Sequence, residues 1–281
     1  MKPDFQKTGS ACLQICCVFL FVHLLTFSRS GKAELAAALV LLIIASAAAI
    51  VLLKTDKNHT AHLSVTLIAM GLGFWCFSVF RYVGLVKWPM NPAENIREYM
   101  MLLYYHFVLV FTVLSAIIAA KQLTGQKRPY RLNIRKNNLP VSQKWLLVLT
   151  ASAFWLWALY RIGDSGVIFT GTVIGLVLTG LIKALLNGFA EEICYRGFIQ
   201  SAAEKSYGIS GGILFQAIIF TMFHMYLGPA FFSGGLFITS VFCAGILFGI
   251  VTRFSSGIGW ACAVHSAFNM VVEWKNLSLT Y

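Results

Sequence analysis

With 281 residues, 58% of them hydrophobic and only 11% charged, and a mean hydropathy of +0.76, the chain excludes an ordinary soluble domain, in which about 25% of residues are charged. The net charge of +12 raises nucleic acid as a partner, but Lys and Arg fall mostly between apolar runs, where they act as topology signals. The composition is that of a polytopic membrane protein, expected in the plasma (inner) membrane as a multi-pass protein, with acidic lipid headgroups as the partner for its charge and no nucleic acid.

A span needs about 20 apolar residues, and candidate spans fall at 11–29, 35–53, 62–80, 100–120, 145–162, 174–201, 209–228, 234–253 and 257–273. The expected fold class is therefore all-α, a polytopic transmembrane bundle of about eight or nine helices. Lys2 and Lys7 precede the first run, which begins at Ala11. It reads as a transmembrane helix rather than a cleaved leader, because it is long, lacks a small-residue cleavage site and is followed by more apolar segments. Cys12, Cys16, Cys17, Cys76, Cys243 and Cys262 lie in apolar runs without a CxxC pair, as small buried hydrophobes do. Pro89 and Pro92 mark a loop after the third span, and Trp88, Trp145 and Trp274 sit near span ends as interfacial aromatics.

Between Lys121 and Lys144 the chain carries Lys127, Arg128, Arg131, Arg135 and Lys136 and no acidic residue. The positive-inside rule places this loop on the cytoplasmic side. It divides the chain into 1–144, a transmembrane region without a motif, and 145–281, which holds every motif below. Gly163, Gly166, Gly171, Gly175 and Gly180 punctuate the next stretch. A straight helix over 167–206 would be about 60 Å long, so it must kink, break or begin late.

Inside the sixth span stands Glu191-Glu192-Ile193-Cys194-Tyr195-Arg196. Each charge at the bilayer centre costs about 2.5–3.5 kcal/mol on insertion scales. On a helix Glu192 and Arg196 are i, i+4 neighbours, which forms an internal ion pair. Glu191 is rotated away from Arg196, with Tyr195 as its own i+4 neighbour, and is free to act as a base. Tyr195 and Cys194 read as packing residues. Phe220-Thr221-Met222-Phe223-His224 follows on the next helix, and His265 and Asn269 share a face of the last one. With a turn near Tyr207-Gly208, Glu191 and His224 both lie about 24 Å from it, at matching depth in a helical hairpin. His265 and Asn269 count as shallower, a gap that tilt can close. Glu204-Lys205 reads as a solvated pair near that turn, and Glu273-Trp274-Lys275 as an interfacial anchor.

A desolvated glutamate suits general-base work near neutral pH. Glu191 with His224 can polarise a water, and His265 with Asn269 can stabilise a tetrahedral oxyanion. Glu191, His224 and His265 are also a possible zinc set, although HExxH is absent and the histidines are far apart in sequence. The expectation is no metal and no cofactor.

The ordered triple EExxxR, FxxxH and HxxxN, each within an apolar helix, resembles the CAAX prenyl protease and bacteriocin-processing family of glutamic-type intramembrane endopeptidases. Here the motifs are Glu191 to Arg196, Phe220 to His224 and His265 to Asn269. Gly197 after the arginine also fits, while Tyr195 stands where many relatives have Phe. The resemblance spans about 174–273 and implies that 145–281 holds an intramembrane protease core. It implies Glu191 and His224 as water activators, His265 and Asn269 as the oxyanion hole, and Glu192 and Arg196 as supporting residues. The implied partner is a peptide or protein substrate in the membrane: a prenylated C-terminus, a secreted precursor or an anchored sorting tail. The rival readings are a non-catalytic membrane module, such as a bacteriocin self-immunity factor or scaffold, and a proton-coupled transporter, which lacks the usual internal repeat.

Overall fold

The computed structural model describes residues 60–83, 110–119, 171–227 and 235–278 as continuous stretches, with isolated residues elsewhere between 36 and 156. The expected span at 11–29, the basic residues of the 121–144 loop, and Trp88, Pro89 and Pro92 lie outside the described residues, as do the side chains of Glu273, Trp274 and Lys275.

Among the described residues every regular element is helical. Helix α1 is Thr60–Tyr82 and α2 is Gly171–Glu192. A π-helical segment, Ile193–Gln200, leads into α3, Ser201–Leu227. Then come α4, Gly235–Ser255, and α5, Gly259–Ser278. Among the described residues, two stretches are long and apolar enough to cross a membrane, Gly180–His224 and Ile238–Ser255.

The first of these stretches is bent. Gly208 has φ 77° and ψ 176°, a conformation that glycine adopts without penalty. A Cβ at Gly208 would meet nothing within 4 Å, so backbone geometry rather than space demands the glycine. The chain turns back there, because Tyr195 on one arm meets Phe220 and Phe223 on the other, edge to face at 5.0 and 6.0 Å. The turn expected near Tyr207-Gly208 is where the hairpin closes. At the next reversal Ser256 takes a left-handed φ of 57°. Ser255 Oγ lies 2.7 Å from the carbonyls of both Val251 and Gly257, and its single proton ties the last turn of α4 to the reversal.

The expectation of an ordinary α-helix through Arg196 is corrected by the π segment. Ser201 Oγ donates to the Arg196 carbonyl, five residues back, at 3.2 Å. In this register Arg196 and Gln200 both turn toward α4. Arg196 Nη2 reaches the Gly245 carbonyl at 3.4 Å and Gln200 Nε2 the Gly249 carbonyl at 3.0 Å. Gln216 Nε2 also donates to Gly245 O, at 2.6 Å. These glycines let the helices approach closely: a Cβ on Gly245 would lie 3.1 Å from Ala217 Cα, and one on Gly249 would lie 2.7 Å from Gln216 Nε2. Gln200 donates to Glu204 Oε1 as well, at 3.0 Å, so Glu204 is tied inward rather than simply solvated.

The main core joins Leu63, Leu67 and Met70 of α1 to Phe198 and Ile199 of the π segment and to Phe215, Ile219 and Met222 of α3. Val113 and Ile117 join the same core. The opposite face of α2 presents Leu178, Ile182, Leu185 and Phe189 outward, an apolar surface suited to lipid.

Candidate active site

The site is set by the packing of α2 on α5. A Cβ on Gly188 would lie 2.7 Å from Ser266 Oγ and 3.1 Å from Ser266 N, so the two helices meet at van der Waals distance there. That contact lies one turn before Glu191 and Glu192 and one residue after His265. It brings the last helix level with the glutamate pair and closes the depth gap that the residue count left.

Glu191 Oε2 then faces two imidazoles, with His265 Nε2 at 3.6 Å and His224 Nε2 at 3.8 Å. Glu191 and His224 keep partial exposure, 17% and 23%, whereas His265 is buried at 3%. The other ring nitrogens are committed. His224 Nδ1 lies 2.8 Å from the Phe220 carbonyl, and His265 Nδ1 lies 2.7 Å from Glu192 Oε1. Both partners are acceptors, so each Nδ1 carries the proton, and in the neutral ring each Nε2 presents a lone pair toward Glu191.

The expected pair of Glu192 and Arg196 is present, with Nη1 donating to Oε1 at 2.9 Å and both side chains fully buried. The same oxygen also takes His265, so Glu192 does more than neutralise the arginine: it fixes the ring of His265. With Nδ1 donating to Glu192, His265 supplies a donor at Nε2 only as the imidazolium, and the neutral ring offers a lone pair there. Glu191 is likewise not unaccompanied on its own helix, because Asn187 Nδ2 donates to its Oε1 at 2.6 Å. Asn269 sits one turn beyond His265 on α5, and its Nδ2 is buried without a hydrogen-bond partner. Tyr195 packs through its ring against Phe220 and Phe223, and Cys194 is buried in the core, as expected.

Aromatic rings close the site from below. The Arg196 guanidinium lies 4.4 Å from the centroid of Phe220 and 5.2 Å from that of Phe248, a cation–π placement that offsets part of its burial. Phe220 also contacts the rings of His224 and His265, at 4.3 and 5.9 Å, and Phe248 stacks on His265 at 4.9 Å. Sequence reasoning missed Asn187 and Phe248. Asn187 had a signal, an amide four residues before a glutamate, but Phe248 is one of many phenylalanines in an apolar helix and had none.

Among the described residues no group of three or more His, Cys, Asp or Glu side chains is arranged to hold a metal ion. The convergence of a carboxylate, two imidazoles and an unpartnered amide donor suits the handling of one polar molecule in an apolar setting. Residues 173–271 match the model of a family described as type II CAAX prenyl endopeptidase Rce1-like. No curated protein and no solved structure matches the chain.

Proposed function

Because residues 173–271 belong to the Rce1-like family of type II CAAX prenyl endopeptidases, a family of CAAX-type membrane proteases, we propose that the chain is a multi-pass endopeptidase of the plasma membrane that uses an activated water. In this reading the bundle has about eight or nine helices, as the apolar runs suggest. The substrate is a membrane-associated or C-terminally anchored peptide or protein. The observation that carries the reading is the approach of both imidazole Nε2 atoms to Glu191 Oε2, at 3.6 and 3.8 Å. This spacing leaves a water able to sit about 2.8 Å from Oε2 and from an imidazole together.

Glu191 takes a proton from that water while His224 Nε2 accepts its second hydrogen bond, and the oxygen attacks the peptide carbonyl. The tetrahedral oxyanion is held by Asn269 Nδ2 and by His265 Nε2–H. Protonated Glu191 then delivers the proton to the leaving amine, giving a carboxylate and a free N-terminus. No step passes through a metal or a cofactor.

The test is hydrolysis by purified full-length protein in liposomes. The probes are a farnesylated peptide ending in Cys-aliphatic-aliphatic-X and a peptide with an anchored C-terminal tail. Glu191→Gln and His224→Ala are each expected to abolish cleavage at unchanged protein level. Hydrolysis, or a cellular phenotype, that survives both substitutions overturns the reading in favour of a non-catalytic module.

A further inference from the structure

We propose that Asn187 is a positioning residue for Glu191, anchoring one carboxylate oxygen so that the other faces the imidazoles. The proposal rests on the reading of Glu191 as the base of a hydrolytic site. Asn187 precedes Glu191 by one turn of α2, and its Nδ2 donates to Oε1 at 2.6 Å. Oε2 has no hydrogen-bond partner and is the oxygen that lies near His224 and His265. The last torsion of a glutamate has a broad, roughly two-fold profile. Unless one oxygen is held, the carboxylate rotates and neither oxygen stays aimed. An ionised carboxylate only accepts, so Asn187 must present its NH2 group to it.

The choice of an amide has a chemical logic. Lys or Arg at this position would neutralise the carboxylate and weaken it as a base. An amide supplies direction without cancelling the charge. The other groups around Glu191 are His224 from α3, His265 from α5, and Glu192, Cys194, Tyr195 and Arg196 of its own helix and the π segment.

The test follows hydrolysis of the farnesylated peptide by the full-length protein in liposomes, read as a split between kcat and KM. Asn187→Leu is expected to lower kcat by about 10-fold or more with KM within about twofold, as loss of a hydrogen bond to a charged group implies. Asn187→Gln is expected to restore most of kcat, since Gln200 already reaches a carboxylate four residues on, Glu204, at 3.0 Å. If Asn187→Leu does not fold, Asn187→Asp, of equal size, is expected to lower kcat as well. An unchanged kcat in the folded variant, or no recovery with Gln, overturns the positioning role. The peptidase reading fails separately, if Glu191→Gln still cleaves.

Discussion

Glu192 Oε1 lies 2.7 Å from His265 Nδ1 and also accepts Arg196 Nη1 at 2.9 Å, so a single carboxylate oxygen ties α2 to α5 and to the π segment. Removing the carboxylate strands a fully buried guanidinium. Glu192→Ala is expected to lower stability by about 3–5 kcal/mol, read as a drop in the unfolding midpoint of the detergent-solubilised protein. Glu192→Gln retains the shape but frees the ring of His265 from its fixed tautomer. It is expected to keep the fold and lower kcat by about 100-fold or more, as loss of an orienting carboxylate does elsewhere.

Gly188 sits against Ser266, with room for no side chain. Gly188→Ala forces α2 from α5 and is expected to cost about 1–3 kcal/mol. A shift of about 1 Å at a reacting centre lowers rate by about 100-fold, so kcat/KM is expected to fall by about that factor. Gly208→Ala is the control. It meets no neighbouring atom but sits at φ 77° and ψ 176°, a region essentially restricted to glycine, so it is expected to lose about 1–3 kcal/mol through backbone strain while kcat changes little. Equal effects of the two on kcat would contradict this account.

Gln216→Leu removes a 2.6 Å donor from the Gly245 carbonyl, which keeps Arg196 Nη2 at 3.4 Å. Interhelical polar contacts in membrane proteins average about 0.6 kcal/mol. The expected loss in an unfolding titration is of that size, because the carbonyl is not left orphaned.

The proposed chemistry routes no step through a metal. Hydrolysis by protein treated with a strong chelator and assayed in metal-free buffer is therefore expected to stay within about twofold of the untreated rate, about 0.4 kcal/mol in the barrier. A loss restored by zinc would reverse that part of the reading.

What was legible in the sequence was what repeats along one helix. The pairing of Glu192 with Arg196 follows from a spacing of four, and the hairpin at Gly208 follows from a glycine between two apolar runs. The depth match of Glu191 with His224 needed only a rise per residue. The bond between Glu192 and His265 was not legible, because it depends on the rotation of α5 about its axis, which the Gly188 contact sets. The partner of Glu191 lies on the other side of it from Tyr195: Asn187, the same four residues away toward the N-terminus, donates to its carboxylate. The π segment left no trace in hydrophobic periodicity, because residues 194–200 are buried all round and give no contrast between faces.

The π segment also separates two kinds of change that a membrane helix ordinarily tolerates alike. A single residue deleted between Ile193 and Gln200 would leave the stretch as apolar as before and as able to insert. Because a π turn holds about one residue more than an α turn, the chain would relax into a regular α-helix and the downstream positions would keep nearly the same facing. An inserted residue meets no such slack: each downstream position would turn by about 100° relative to Glu191, and Phe220 and His224 would swing away from the glutamate pair while the span itself survived. Within these eight residues, a loss of length is therefore absorbed, whereas a gain would uncouple the two arms of the hairpin and silence the site in a protein that still reaches its membrane.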